Sequence, residues 1–115
     1  MLFRSETPFL SHATMEPMNC TVKISNGRAE AWVPTQNAEL AMASMSETSK
    51  IPLGQCEVYR VDPGGGFGRR VTVPDFVRLA TLIAMQFPDT PVKMIYSREE
   101  DQMHGFYRPA SMCRM

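Results

Sequence analysis

Residues 20–33 read Cys20-Thr-Val-Lys-Ile-Ser-Asn-Gly-Arg-Ala-Glu-Ala-Trp-Val33, and the fold class turns on them. Asn26-Gly27 separates two runs suited to strands, and Asn-Gly favours the type I′ turn whose twist matches paired antiparallel strands. The spacing predicts a hairpin. In the second run Ala29, Ala31 and Val33 alternate with Arg28, Glu30 and Trp32, so one face is small and apolar while the other carries charge and a large ring. Such a sheet covers a core on one side.

Working outward, Pro34 follows, and Thr35 or Asn37 is placed to cap a helix running to Lys50. On that helix Ala38, Ala41, Met42 and Met45 share one face at helical spacing. The methionines fill a core. Pro52 and Gly54 end this segment, and residues 56–61 alternate as a strand does. A second helix is expected near Pro74, with Thr72 as its cap and Asp75 complementing its dipole. Its main stripe reads Phe76, Leu79, Ala80, Ile83 and Phe87. Val77, Leu82 and Met85 widen the stripe, which suits a helix enclosed within a larger assembly, and Pro88 stops it.

Residues 91–96 then read as a strand, and strand-helix-strand order implies a right-handed parallel crossover. Ser97 precedes a capped turn or short helix at residues 98–101, and residues 105–115 show no clear period. The expected fold is α+β, in the order β-β-α-β-α-β with a mixed sheet, and residues 1–115 are expected to form a single partial domain. A chain of this length buries roughly two-thirds of the surface that its unfolded form exposes.

Composition excludes several functions. Twelve basic residues balance twelve acidic ones, so no overall field recommends nucleic acid or an anionic membrane as partner. Hydrophobic residues reach 43%, yet no run approaches the ~18 consecutive apolar residues of a membrane helix, and no transmembrane segment is expected. The start shows no secretory signal, and the compartment is left open. Cys20, Cys56 and Cys113 are odd in number and widely spaced, as reduced thiols would be, and they suggest neither a disulfide framework nor a zinc site. His12 and His104 add no metal spacing, so no protein-ligated metal is expected.

The most unusual string is Gly64-Gly-Gly-Phe-Gly-Arg-Arg70, between a strand and a helix. Successive glycines permit positive φ and expose N–H groups that converge on an anion or a ligand oxygen. The string lacks the third glycine of a dinucleotide fingerprint and the Lys-Ser/Thr ending of a nucleotide P-loop. From the glycines alone, a flexible turn and a binding loop both remain open.

Three further strings accompany this loop in fixed order. They are His12-Ala-Thr-Met-Glu-Pro-Met-Asn-Cys-Thr21, Trp32-Val-Pro-Thr-Gln36, and Ser97-Arg-Glu-Glu-Asp101 followed by Phe106-Tyr-Arg-Pro-Ala110. Together the four resemble the first part of the molybdenum-cofactor domain in the xanthine dehydrogenase and aldehyde oxidase superfamily. The Gly-Arg-Arg ending and Tyr-Arg-Pro-Ala string resemble its isoquinoline 1-oxidoreductase branch. The resemblance implies a fragment of a large subunit holding a molybdenum–pterin cofactor, molybdopterin or its cytosine dinucleotide form.

By that resemblance Gln36 matches a glutamine whose amide lies near an oxygen ligand of molybdenum. Gly65, Gly66, Phe67 and Gly68 match the loop whose N–H groups approach the metal's ligands or the pterin, a use to which neutral amides are suited. On the local sequence alone, Gln36 opens a helix and Phe67 anchors the loop. Gly66→Val is expected to lower cofactor occupancy, through blocked approach and a β-branched residue's resistance to positive φ. Arg108 matches a cofactor-binding arginine, although purine hydroxylases carry theirs one place earlier, where this chain has Tyr107. Glu16 resembles an acidic position but is given no catalytic role.

Val71 stands where purine hydroxylases place a substrate-binding glutamate, which argues against purines. The family's catalytic glutamate lies far downstream of any segment seen here, and Glu99, Glu100 and Asp101 read as a solvated acidic cluster. No catalytic residue is therefore assigned, and the chain alone is expected to be inactive. The implied reaction is hydroxylation of an N-heterocycle or an aldehyde with oxygen from water. Its implied partners are the remainder of the large subunit and an iron–sulfur small subunit, since nothing here would bind such clusters. The alternatives are a small-anion-binding module without chemistry and a structural remnant.

Overall fold

The computed structural model describes residues 3–114. Its centre is the expected hairpin: β3 (Asn19–Ser25) pairs antiparallel with β4 (Arg28–Val33), Ser25 opposite Arg28. Asn26 and Gly27 take φ of 50° and 73°, the left-handed values a type I′ turn requires. α1 (Ala38–Ser49) follows, capped by the Asn37 side chain accepting from the Leu40 N–H, and it ends at Lys50 with φ 61°. A 3₁₀ turn (Leu53–Gln55) leads into β5 (Cys56–Arg60), which lies parallel to β4. After the glycine loop come the short helix α2 (Arg69–Thr72), then α3 (Asp75–Ala84) and β6 (Val92–Ile95).

β6 joins β3 antiparallel, so the sheet is mixed and runs β5-β4-β3-β6. Ala29, Ala31 and Val33 are buried beneath α1 and α3 with Cys20, Val22, Ala41, Met45 and Phe76. Met42 packs against this core, as the methionine stripe predicts.

α3 departs from its expected face. Phe76, Val77, Ala80, Thr81 and Ala84 are buried, whereas Leu79, Ile83 and Phe87 are exposed. Ala80 and Ala84 are small, so turning them inward lets the helix approach β3 and α1 closely. Nor does Thr72 cap this helix. It belongs to α2, and the N-cap position, Pro74, supplies no side-chain bond.

The segment without a visible period also carries structure. After α4 (Arg98–Met103), capped by Ser97, come β7 (Tyr107–Arg108) and β8 (Ser111–Arg114). They pair antiparallel with β2 (Leu10–Ser11) and β1 (Arg4–Thr7). Strands this short, with partners about a hundred residues away, leave no usable periodicity. No described helix is long and apolar enough to cross a membrane.

Candidate functional site

The loop between β5 and α2 sits against the turn joining β4 to α1. Gln36 opens that turn, and its N–H donates to the Arg70 carbonyl at 3.2 Å while its Oε1 accepts from the Gly68 N–H at 3.2 Å. Thr35 Oγ1 donates to the same Arg70 carbonyl at 3.1 Å. A Cβ added at Gly66 would overlap the Gln36 carboxamide. The structure thus brings Gln36 together with Gly66 and Gly68.

Positive φ occurs at Gly65 (104°), Phe67 (50°) and Gly68 (92°), but not at Gly66. Glycine is needed at position 66 because the Gln36 side chain occupies the space of a Cβ, which corrects the φ argument made for that residue. Phe67 is 67% exposed and stacks on the His12 ring, with centroids 6.0 Å apart. It therefore leans on the segment before β3 without reaching the core.

Arg70 holds the loop from beneath. Its Nε donates to the Gly65 carbonyl at 2.8 Å, one terminal nitrogen to the Pro34 carbonyl at 2.9 Å, and the other to the Glu16 carbonyl at 2.8 Å and Glu16 Oε2 at 3.0 Å. Glu16 Oε2 also accepts from the Gly64 N–H at 2.8 Å, and Glu16 Oε1 accepts from Asn19 at 2.8 Å. Burial presses the Arg70 guanidinium below its ordinary value, against the opposing pull of Glu16 and Asp101. One fully buried cation thereby ties three strings together at residues 16, 34 and 65.

Arg69 is also buried and forks onto Asp75, both bonds at 2.8 Å, a bidentate pair that fixes α2 against α3. Arg98 joins the fourth string by donating to the Thr14 carbonyl at 2.6 Å and pairing with Asp101 at 3.3 Å. Asp101 is buried, so it does not belong to a solvated acidic cluster. Burial and the neighbouring Asp75 charge push the Tyr96 hydroxyl up to about 12.

Arg108 lies in β7 opposite Leu10, and no hydrogen bond among the described residues links it to Gln36 or to the loop. Sequence reasoning noted Glu16 only as an acidic position and gave Arg70 no role of its own, whereas the structure makes the two a pair that supports the loop. The double arginine served there only as a branch marker, yet two arginines entering a helix beside buried positions needed carboxylate partners.

The molybdopterin cofactor-binding domain family matches residues 4–115. The chain is 30% identical over 114 residues to isoquinoline 1-oxidoreductase subunit beta of Brevundimonas diminuta, covering 98% of this chain and 14% of that protein. Against the aldehyde oxidoreductase molybdenum-binding subunit of Escherichia coli (strain K12), identity is 26% over 106 residues, 92% of this chain and 14% of the relative. Among solved structures, CO dehydrogenase from Oligotropha carboxidovorans superposes with a TM-score of 0.77 at 19% identity, over 95% of this chain and 14% of that one. Quinoline 2-oxidoreductase from Pseudomonas putida 86 gives 0.70 at 24% identity, over 88% and 13%. At those identities the superpositions establish the fold alone. The family match spans almost the whole sequence, and this chain belongs to the molybdopterin cofactor-binding domain family.

Proposed function

We propose that Gln36 and residues 65–68 form one wall of a molybdenum–pterin cofactor site in an oxidoreductase that hydroxylates an N-heterocycle or an aldehyde with oxygen from water. The observation that carries this reading is the Gln36 carboxamide held against the glycine loop by its bond from Gly68. Around it, the N–H groups of Gly65, Gly66 and Phe67 donate to no protein acceptor among the described residues.

The donor set fits the group. Neutral amides hold oxo, sulfido or phosphate atoms without titrating. Both nearby arginines are already paired with carboxylates, so the loop is a set of directed dipoles and not an open cationic anion site. When bound, the cofactor supplies two-electron redox chemistry that no side chain here provides. Gln36 and the loop orient it, and Arg70 keeps the loop in position. Arg108 belongs to the proposal as a second contact, offered from β7.

The chain spans 14% of the length of its curated relatives. The rest of the reading therefore extends beyond it: one partial domain, completed by the remainder of a large subunit and an iron–sulfur small subunit, with the cytosine dinucleotide as one form of the cofactor. No catalytic base is assigned to this chain. Glu16, Asp75 and Asp101, the carboxylates bonded around the loop's supports, are engaged by Arg70, Arg69 and Arg98.

The test is metal and pterin analysis of the full-length parent subunit purified from a host that makes the cofactor. Gln36→Ala and Gly66→Val are expected to lower molybdenum content about tenfold or more, given ~1.5–3 kcal/mol for a hydrogen bond to a charged group. Molybdenum content equal to wild type in both variants overturns the assignment. The 115-residue chain produced alone is expected to retain little molybdenum and to reduce no dye with a heterocycle or an aldehyde. Stoichiometric metal with steady turnover would contradict its inactivity.

A further inference from the structure

Two buried nitrogens, His12 Nδ1 and Arg69 Nε, have no hydrogen-bond partner among the described residues. Both residues line the same small cavity below the glycine loop, together with Asp101 and Met18. Arg69 cannot turn its Nε–H elsewhere. Its terminal nitrogens are fixed by the fork onto Asp75 and by the Val73 carbonyl at 3.1 Å, and its side chain is 3% exposed. The carboxylate of Asp101 holds the Met18 N–H at 3.4 Å and Arg98 at 3.3 Å, both long bonds that leave lone pairs free.

The lining selects its occupant. Arg69 Nε–H only donates, the Asp101 carboxylate only accepts, and His12 Nδ1 accepts when the imidazole proton sits on Nε2. An anion would be repelled by Asp101 and a cation by Arg69, while an apolar group would leave every orphan unpaired. The cavity measures about 10 Å³, which is the space that one buried water requires. We propose that a single ordered water binds here, accepting from Arg69 Nε–H and donating to His12 Nδ1 and to an oxygen of Asp101.

That water adds a three-way link to the direct bonds that already tie the segment before β3 to α4, through Asp101 and Arg98, and to α2, through Arg70. Because the His12 ring stacks on Phe67, fixing the imidazole also fixes the seat of the loop's one large side chain. The inference is independent of the cofactor reading.

A crystal structure of the protein as naturally produced is expected to show one density peak within hydrogen-bond distance of all three groups. Nitrogen-15 NMR should find the His12 ring proton on Nε2 and not on Nδ1. His12→Phe keeps an aromatic partner for Phe67 but removes the acceptor, and it should raise hydrogen exchange at the Gly68 amide, which donates to Gln36, about tenfold. The site is overturned by a direct protein bond to either orphan nitrogen, a collapsed cavity, an ion in place of water, or the Nδ1–H tautomer. Unchanged exchange in His12→Phe overturns the water's hold on the loop.

Discussion

The sheet with α1 and α3 differs sharply from the β1–β8 ribbon in what it buries. In the sheet, inward positions such as Cys20, Val22, Ala31, Val33 and Met45 are excluded from solvent, while β8 is exposed throughout and β1 buries no residue. The ribbon is held by its ladder and a few side-chain bonds, including Thr7 to Ser111 at 2.6 Å. Its register also sets Arg4 opposite Arg114, an unfavourable like-charge pair, with Glu6 bonded to Arg4 to offset it. Two-stranded ribbons are marginal by themselves. One region is stabilised by its own packing, and the other is a surface element whose order depends on pairing. The glycine loop is supported from the sheet side through Pro34 and Gln36 and from the segment after β2 through His12.

The contrast is broken most strongly from the core side. Met45→Ala, which empties a fully buried position, should lower stability by about 4 kcal/mol in chemical denaturation. A loss below about 1 kcal/mol would show that the packing relaxes around it. Arg70→Met strips the supports of the loop and leaves Glu16 without its charge partner. A loss of about 3 kcal/mol is expected, with hydrogen exchange accelerated more at the bonded Gly64 and Gly68 amides than in α1. Uniform acceleration across the chain would mean that Arg70 supports the whole fold and not the loop.

Gly66→Val forces a side chain into the Gln36 carboxamide, so a smaller loss of about 1–3 kcal/mol is expected. Gln36→Ala in the same protein should recover part of it, and a double variant no better than the single would exclude that clash as the cause. Alkaline titration probes the core differently. Burial raises the Cys20 thiol from 9.0 to about 12, so the folded state keeps its proton where the unfolded state has lost it. Stability should be full below about pH 9 and fall toward pH 12 by about 1.4 kcal/mol per unit from this group. Cys20→Ala should flatten the slope, and an unchanged slope would assign it to other groups such as Tyr96. Met112→Ala, in the exposed ribbon, should shift stability by no more than about 0.5 kcal/mol. A larger loss in the purified protein would show that the ribbon is covered there.

Local rules were enough for much of this molecule. Asn26-Gly27 specified its hairpin because few dipeptides accept two successive left-handed residues, and Asn37 and Ser97 capped helices through bonds that span only three residues. Alternation along residues 28–33 named the buried face of β4 because the strand period is two. The glycine loop and Gln36 were legible through four ordered strings, and the structure set them side by side.

What escaped the sequence depended on partners distant in the chain. The face that α3 presents inward was decided by how closely Ala80 and Ala84 approach the sheet, a matter of packing and not of hydrophobicity. β7 and β8 exist only because β2 and β1 lie beside them, so their two to four residues carry no signal of their own. Glu16 and Asp101 look like surface acids until Arg70 reaches Glu16 from 54 residues away and the Met18 N–H reaches Asp101 from 83 residues away. Charge pairing in a low-dielectric interior is a property of three-dimensional proximity, and only the tertiary structure could decide it.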